Sequence, residues 1–254
     1  MIPVFIGYDP VESVAFHVLS HSILRQSSQP VMIIPVNIRN MQGLYWRERD
    51  PKQSNEFSFS RFLVPYLAHS MGLPSAIWMD LDMLFRADIN ELWSLRDSAY
   101  PVQCCKHDYT PKDTVKYLGN KQYVYPCKNW SSLMIFNLRN YNLCGREGPK
   151  VLTPDYVNTA TGLELHQFKW LENEAQIGHI PLEWNWLVSE YEYNPAAKNV
   201  HFTVGGPWFH EYRICDYSDE WNGELSMTMH ADQLREPAFK LMGSEDHIER
   251  KAIL

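Results

Sequence analysis

The chain has 254 residues, 45% hydrophobic and 21% charged, a globular balance that excludes a disordered chain. Asp and Glu number 30 against 23 Lys and Arg, a formal charge of -7, which argues against nucleic acid or an anionic membrane surface as the main partner. No apolar stretch approaches the ~20 residues of a membrane span, and the five cysteines include no C-x-x-C pair, so the expected setting is reducing and cytoplasmic, without a disulfide framework or thiolate zinc site.

The predicted elements alternate in type. Val4-Phe5-Ile6 reads as a first strand, with no basic segment or long apolar run of a secretion signal before it. After Gly7 and Tyr8, the residues Asp9, Pro10 and Glu12 have the pattern of an N-cap, an N1 proline and the acid of a capping box. The helix they open runs to about Arg25, and Val31 to Val36 is a second strand. Apolar residues at 59, 62, 63, 66 and 67 predict a helix over 57–69, with Pro65 able to kink it. Ala76 to Met79 is a third strand ending in Asp80, and Asp88 with Glu91 reads as a second capping box. Leu133 to Phe136, Ile177 to Ile180 and Val200 to Thr203 read as later strands; Thr153-Pro154 and Thr161-x-x-Glu164 read as helix starts. Strands alternating with helices predict an α/β class, a mostly parallel sheet with helices on both faces, in one domain over 1–254. In such sheets ligands bind beyond the carboxyl ends of strands, here after Ile6, Met79 and Thr203.

Asp80-Leu81-Asp82 stands at one of those ends. Carboxylates at i and i+2 share one side of an extended chain and repel unless a cation lies between them. A hard divalent ion is one answer; solvated turn carboxylates are the other. The run from Ala76 to Trp93, a hydrophobic strand entering D-x-D and then a capped helix, resembles the metal-site segment of GT-A-fold glycosyltransferases. The likeness is strongest to the family-8 type that includes glycogenin. Arg61, in Phe-Ser-Phe-Ser-Arg-Phe-Leu-Val-Pro, resembles that family's donor-contacting Arg, and His201-Phe-Thr-Val-Gly-Gly-Pro-Trp208 resembles its C-terminal diphosphate loop. These segments keep the family's order over about 1–210, leaving 211–254 as a C-terminal helical extension. The loop is one residue short, lacks the family's Lys and has its glycines at 205 and 206; Trp130-Ser131-Ser132 stands where the family has Asn-x-Gly.

The resemblance implies retaining transfer of a sugar from a UDP-sugar to an acceptor, which could be a saccharide, a glycolipid or a protein. Asp80, Asp82 and His201 would hold Mn²⁺ or Mg²⁺, and a mixed carboxylate and imidazole shell suits Mn²⁺ better. Gly7 and Tyr8 would line a uridine pocket, Leu81 would meet the ribose, Arg61 the donor, and Gly205, Gly206 and Trp208 the diphosphate. His166-Gln167 stands at the family's Asp-Gln pair, making Gln167 and Asp80 the candidate catalytic groups. No nucleophilic carboxylate is evident, and a front-face substitution needs none. For Tyr8, Arg61 and Gln167 an ordinary surface or helix role stays open, for His201 a satisfied core histidine does, and Trp184-Asn185-Trp186 reads equally as a sugar platform or as core. Two rival functions stay open as well. One is an inactive nucleotide- or sugar-binding protein of the same fold. The other is a haloacid dehalogenase-type phosphohydrolase with Asp80 as nucleophile, although Leu84 stands where that site expects Thr or Val.

Overall fold

The computed structural model describes residues 1–50, 53–143 and 151–229. Its strands in chain order are β1 Ile2–Gly7, β2 Val31–Val36, β3 Ser75–Met79, β4 Met83–Phe85, β5 Val102–Cys104 and β6 Val115–Lys116. Then follow β7 Asn120–Lys121, β8 Leu133–Asn137, β9 Ile177–His179, β10 Trp186–Leu187 and β11 Asn199–His201. The helices are α1 Ser13–Gln26, α2 Val64–Ser70, α3 Ile89–Ser94, α4 Pro154–Thr159, α5 Gly162–His166 and α6 Ser218–Met229. Among the described residues no helix is long and apolar enough to cross a membrane.

Every residue of β1 is buried, as the near-continuous apolar run of a strand covered on both faces requires. It lies inside a six-stranded sheet of order β2-β1-β3-β8-β5-β9. The pairs β1–β2, β1–β3 and β5–β9 are parallel, whereas β8 runs antiparallel to both β3 and β5. This mixed, mostly parallel sheet is the α/β architecture the sequence predicts, with one reversed strand. The reversal matters for the site: Met79, the last residue of β3, pairs with Leu133, the first of β8. The chain leaving β3 therefore runs beside the chain entering β8, and Asp80 donates its N–H to the Ser132 carbonyl at 2.9 Å.

A second sheet, β10-β11-β4, grows from the segment after Asp82. Its β4–β11 pair is antiparallel and sets Met83 opposite His201. Val18, Leu84, Val188, Val200, Phe202, Tyr217 and Trp221 bury a second apolar cluster there, which α6 helps to close. The α6 helix is tied to α1 through Glu224, buried and bonded to His21 Nδ1 at 2.5 Å and Arg25 Nη2 at 2.7 Å. The expected C-terminal extension is thus helical over α6; its remainder, 230–254, lies outside the described residues.

Several local expectations change on packing. Asp9 does cap, accepting from Val11 N at 3.0 Å, but the turn it caps is a 3₁₀ turn over Pro10–Glu12. Glu12 makes no capping box: it is buried, and Trp208 Nε1 donates to it at 3.2 Å. The helix predicted over 57–69 divides into a 3₁₀ turn over Ser60–Leu63 and α2. Pro65 sits in the first turn of α2, where its missing N–H costs nothing, and its ring would clash with a continuous helix before it. Asp88 caps α3, but Glu91 pairs with Lys198 at 2.7 Å. The helix start expected at Thr161 is α5, and Thr161 and Glu164 close it with a full capping box. The strand predicted over 200–203 occupies 199–201, so His201 is its last residue.

Candidate active site

Three buried side chains converge where the two sheets meet. Asp80 and Asp82 follow β3, His201 ends β11, and one ligand atom from each lies within 4.8 Å of the others. His201 Nδ1 is hydrogen-bonded to Asn185 Oδ1 at 3.0 Å. Asn185 Nδ2 donates in turn to Ser132 Oγ at 2.8 Å, and Ser132 Oγ donates to Asn129 O at 2.7 Å. With the Asn185 oxygen turned toward it, Nδ1 carries the ring proton and Nε2 offers its lone pair. This is the arrangement by which an outer partner orients an imidazole ligand. Nε2 stands 3.3 Å from Asp82 Oδ1, and that buried oxygen has no hydrogen-bond donor. A metal ion shared by the two groups satisfies that oxygen, as does a proton on Nε2, and the pair is close enough for either. Two carboxylates and an imidazole are a suitable donor set for a divalent ion such as Mn²⁺.

The two carboxylates differ in their surroundings. Burial pushes Asp80 up to about 6, against the pull of Arg61 and with the Asp82 charge adding to the rise. Arg61 Nη1 is 2.9 Å from Asp80 Oδ1 and donates to the Ser131 carbonyl at 2.9 Å, while Trp78 Nε1 donates to the same Asp80 oxygen at 3.1 Å. Burial also opposes ionisation of Asp82, but the charge and hydrogen bond of a protonated His201, with the Lys116 charge and a backbone bond, together hold that carboxylate below its ordinary range.

The cluster opens on a cavity of 630 Å³, whose walls include Arg61, Lys116, Lys128, Asn129, His166, Gln167 and Thr203. Gln167 C-caps α5 and lines this space. His166 is held by Ser131 Oγ at 2.8 Å, and burial drives it well below the usual histidine range, so it is neutral. The buried Nε of Arg61 has no acceptor. Of the residues singled out from the sequence, the structure therefore brings Arg61, Asp80, Asp82, Gln167 and His201 to one cavity.

The remaining candidates sit elsewhere. Tyr8 packs edge-on against Phe16 and lines a separate, largely apolar cavity of 430 Å³ bounded by β1, β2 and α2. Leu81 is fully buried in the main core. Gly7 is buried at the end of β1, where a Cβ would lie 2.5 Å from the Phe57 ring. Gly7→Ala is expected to destabilise the fold by about 1–3 kcal/mol, as overpacking does, read as a lower midpoint in urea unfolding. Gly205 has φ +151 and donates its N–H to Phe202 O at 3.0 Å; Tyr212 covers it, and the Trp208 ring covers Gly206. These glycines accommodate aromatic rings and do not line the cavity of the cluster. Trp208 packs on Phe202, Phe209 and Trp221. Within Trp184-Asn185-Trp186 it is Asn185 that reaches the cluster, while Trp184 is core.

Sequence reasoning missed Asn185, Lys116 and Lys128. Asn185 carries no local signal of its bond to His201. The two lysines lie on a short hairpin and the loop after it, where no periodicity marks a face.

No protein-family model matches the chain. Protein CDI of Arabidopsis thaliana is 47% identical over 229 residues, spanning 87% of this chain and 85% of its own. Among solved structures, the glycosyltransferase GlyE of Streptococcus pneumoniae TIGR4 superposes with a TM-score of 0.57 at 10% identity, covering 90% of this chain and 63% of that one. The galactosyltransferase LgtC in complex with donor and acceptor sugar analogs gives a TM-score of 0.53 at 10% identity, covering 89% of this chain and 95% of that one. The bifunctional glycosyltransferase WbbM gives 0.53 at 15% identity over 91% of this chain, which spans only 51% of WbbM. The shared architecture is the GT-A fold.

Proposed function

This chain belongs to the family of Arabidopsis thaliana protein CDI, and we propose that it is a metal-dependent glycosyltransferase moving a sugar from a UDP-sugar to an acceptor with retention of configuration. The observation that carries this reading is the orphaned Asp82 Oδ1, 3.3 Å from His201 Nε2 and joined by Asp80, in the wall of a 630 Å³ cavity. Asp80, Asp82 and His201 would hold Mn²⁺ or Mg²⁺, and the ion would supply Lewis-acid charge for the departing diphosphate. Arg61 fixes Asp80 and turns a free buried Nε–H to a donor. Gln167 would lie near the reacting carbon. The acceptor, whether saccharide, glycolipid or protein, would enter from the open side of the cavity.

Retention by front-face substitution is favoured by the scarcity of nucleophiles. The described residues of the wall carry the carboxylates of Asp50, Asp80 and Asp82 alone, and the last two belong to the metal set. The same geometry disfavours an aspartyl-phosphate mechanism, because Asp80 Oδ1 is engaged by both Arg61 and Trp78. The proposal treats 1–254 as one domain in a reducing, cytoplasmic setting, in keeping with the buried free thiols of Cys104 and Cys105.

Calorimetric titration tests the reading. UDP, UDP-glucose and UDP-galactose are expected to bind wild-type protein in Mn²⁺ and to lose at least tenfold in affinity in EDTA. Equal affinity in both would sink the metal-bridged site. Because Asp80 titrates at about 6 before an ion arrives, binding displaces a proton below that pH. Mn²⁺ affinity is therefore expected to fall about tenfold per pH unit below 6 and to level off above 7, measured by titrating the ion across pH.

A further inference from the structure

Lys116 and Lys128 line the same cavity as the acidic cluster, yet among the described residues neither forms a salt bridge. Both are held in place. Lys116 ends β6 beside Tyr117, which stacks on Phe209 at 4.9 Å and 15° and donates its backbone N–H to Val204 O at 2.9 Å. Burial and the nearby Glu12 carboxylate push the Tyr117 hydroxyl well above its ordinary range. At the base of the hairpin the buried Glu190 carboxylate accepts Lys112 N–H at 2.9 Å and Gln122 Nε2 at 3.3 Å. Lys128 Nζ donates to Tyr123 O at 3.1 Å and lies over the Tyr125 ring at 5.4 Å.

Burial pulls Lys116 below its ordinary range, against the pull of Asp82, Glu12 and Asp80. Burial and the neighbouring Lys116 charge bring Lys128 down to about 8. Two lysines are thus concentrated in one cavity of an acidic protein, near carboxylates but in direct ion contact with none among the described residues. A polyanion accepting hydrogen bonds from both relieves the repulsion. The loop after β11 offers no lysine, and its Gly205 N–H is already bonded.

We propose that Lys116 and Lys128 form the clamp for the diphosphate of the donor, held on the hairpin side of the cavity. The assignment rests on the glycosyltransferase reading above. It is tested by titrating UDP and uridine into Mn²⁺-loaded wild type, Lys116→Met, Lys128→Met and Lys116→Arg, with folding checked by thermal melting. Wild type is expected to bind UDP at least tenfold tighter than uridine. Each Met variant is expected to lose about tenfold for UDP, in line with a charge-assisted bond, with uridine affinity unchanged and Lys116→Arg close to wild type. Lys128→Met alone decides the matter if Lys116→Met does not fold. Wild type that binds UDP no better than uridine would remove the donor reading and the clamp with it. Wild type that discriminates, with Met variants that still do so fully, would overturn the clamp alone. Tighter Mn²⁺ binding in the Met variants with unchanged UDP discrimination would also overturn it, leaving the lysines as charge balance for the carboxylates.

Discussion

Asp82→Asn is expected to lower kcat/KM for sugar transfer by about 10³-fold or more while leaving the fold intact. The substitution gives up the charge facing His201 Nε2 at 3.3 Å, but the bond from Phe202 N–H to Asp82, at 2.8 Å, is made to its backbone carbonyl and stays. On the proposed function, what disappears is one of two anionic ligands, and with it the local charge that a leaving diphosphate would require in an acidic protein. Lewis-acid stabilisation of that kind is worth several kcal/mol, which sets the scale of the loss. UDP release from UDP-glucose and UDP-galactose, followed in Mn²⁺ with hydrolysis and acceptor-dependent turnover separated, measures it. Full activity in the Asn variant would mean that the ion, if bound, does not act through Asp82.

Arg61→Met is expected to cost about 3–5 kcal/mol of stability near neutral pH, the effect of breaking a buried ion pair from one side. Arg61 and Asp80 are 5% and 6% exposed, so water cannot replace the guanidinium. The cost should depend on pH with a definite sign. Asp80 already titrates at about 6 in the fold against an ordinary 3.8, so the folded state binds that proton more tightly than the unfolded chain. A group of this kind contributes stability below its unfolded value and loses it as pH rises through the folded value. Removing Arg61 raises the folded value further. The gap between variant and wild type should therefore be widest above pH 7 and narrow toward pH 5, where Asp80 is protonated in both. Urea unfolding in EDTA at pH 5 and pH 8 reads both values. A gap that widens on acidification would show that Arg61 stabilises through packing on Phe57 and Trp78 and not through Asp80.

The Asp80, Asp82 and His201 cluster was legible in part through a local signal, an apolar strand ending in a carboxylate pair, and in part through family resemblance, since His201 by itself reads as a core histidine within a strand over 200–203. Arg61 was legible through that resemblance. Glu12 shows where locality misleads. Asp9-Pro10-Val11-Glu12 satisfies every rule for a capping box, yet Tyr117 and Trp208, both remote in the chain, meet the carboxylate in the interior and burial pushes it up to about 8. Gly205 and Gly206 show the converse: glycine signals close approach, but what approaches is an aromatic ring and not a phosphate. The direction of β8 could not be read, since Leu133 to Phe136 is equally apolar whichever way it runs. Lys116 escaped because a two-residue strand carries no alternation, and Lys128 because it lies on a loop.

The pairing of Met83 with His201 has a consequence in time as well as space. The strands it joins, β4 and β11, are three residues each and lie far apart in the chain. Contacts between such distant segments form late, after local ones have reduced the cost of closing the loop. While the chain is assembling, Asp80 and Asp82 can be in place with no imidazole opposite them, and the third ligand arrives with the final docking. An ion held by all three groups, as proposed, would thus find its full coordination only in a finished molecule, and a half-built chain would have little hold on it.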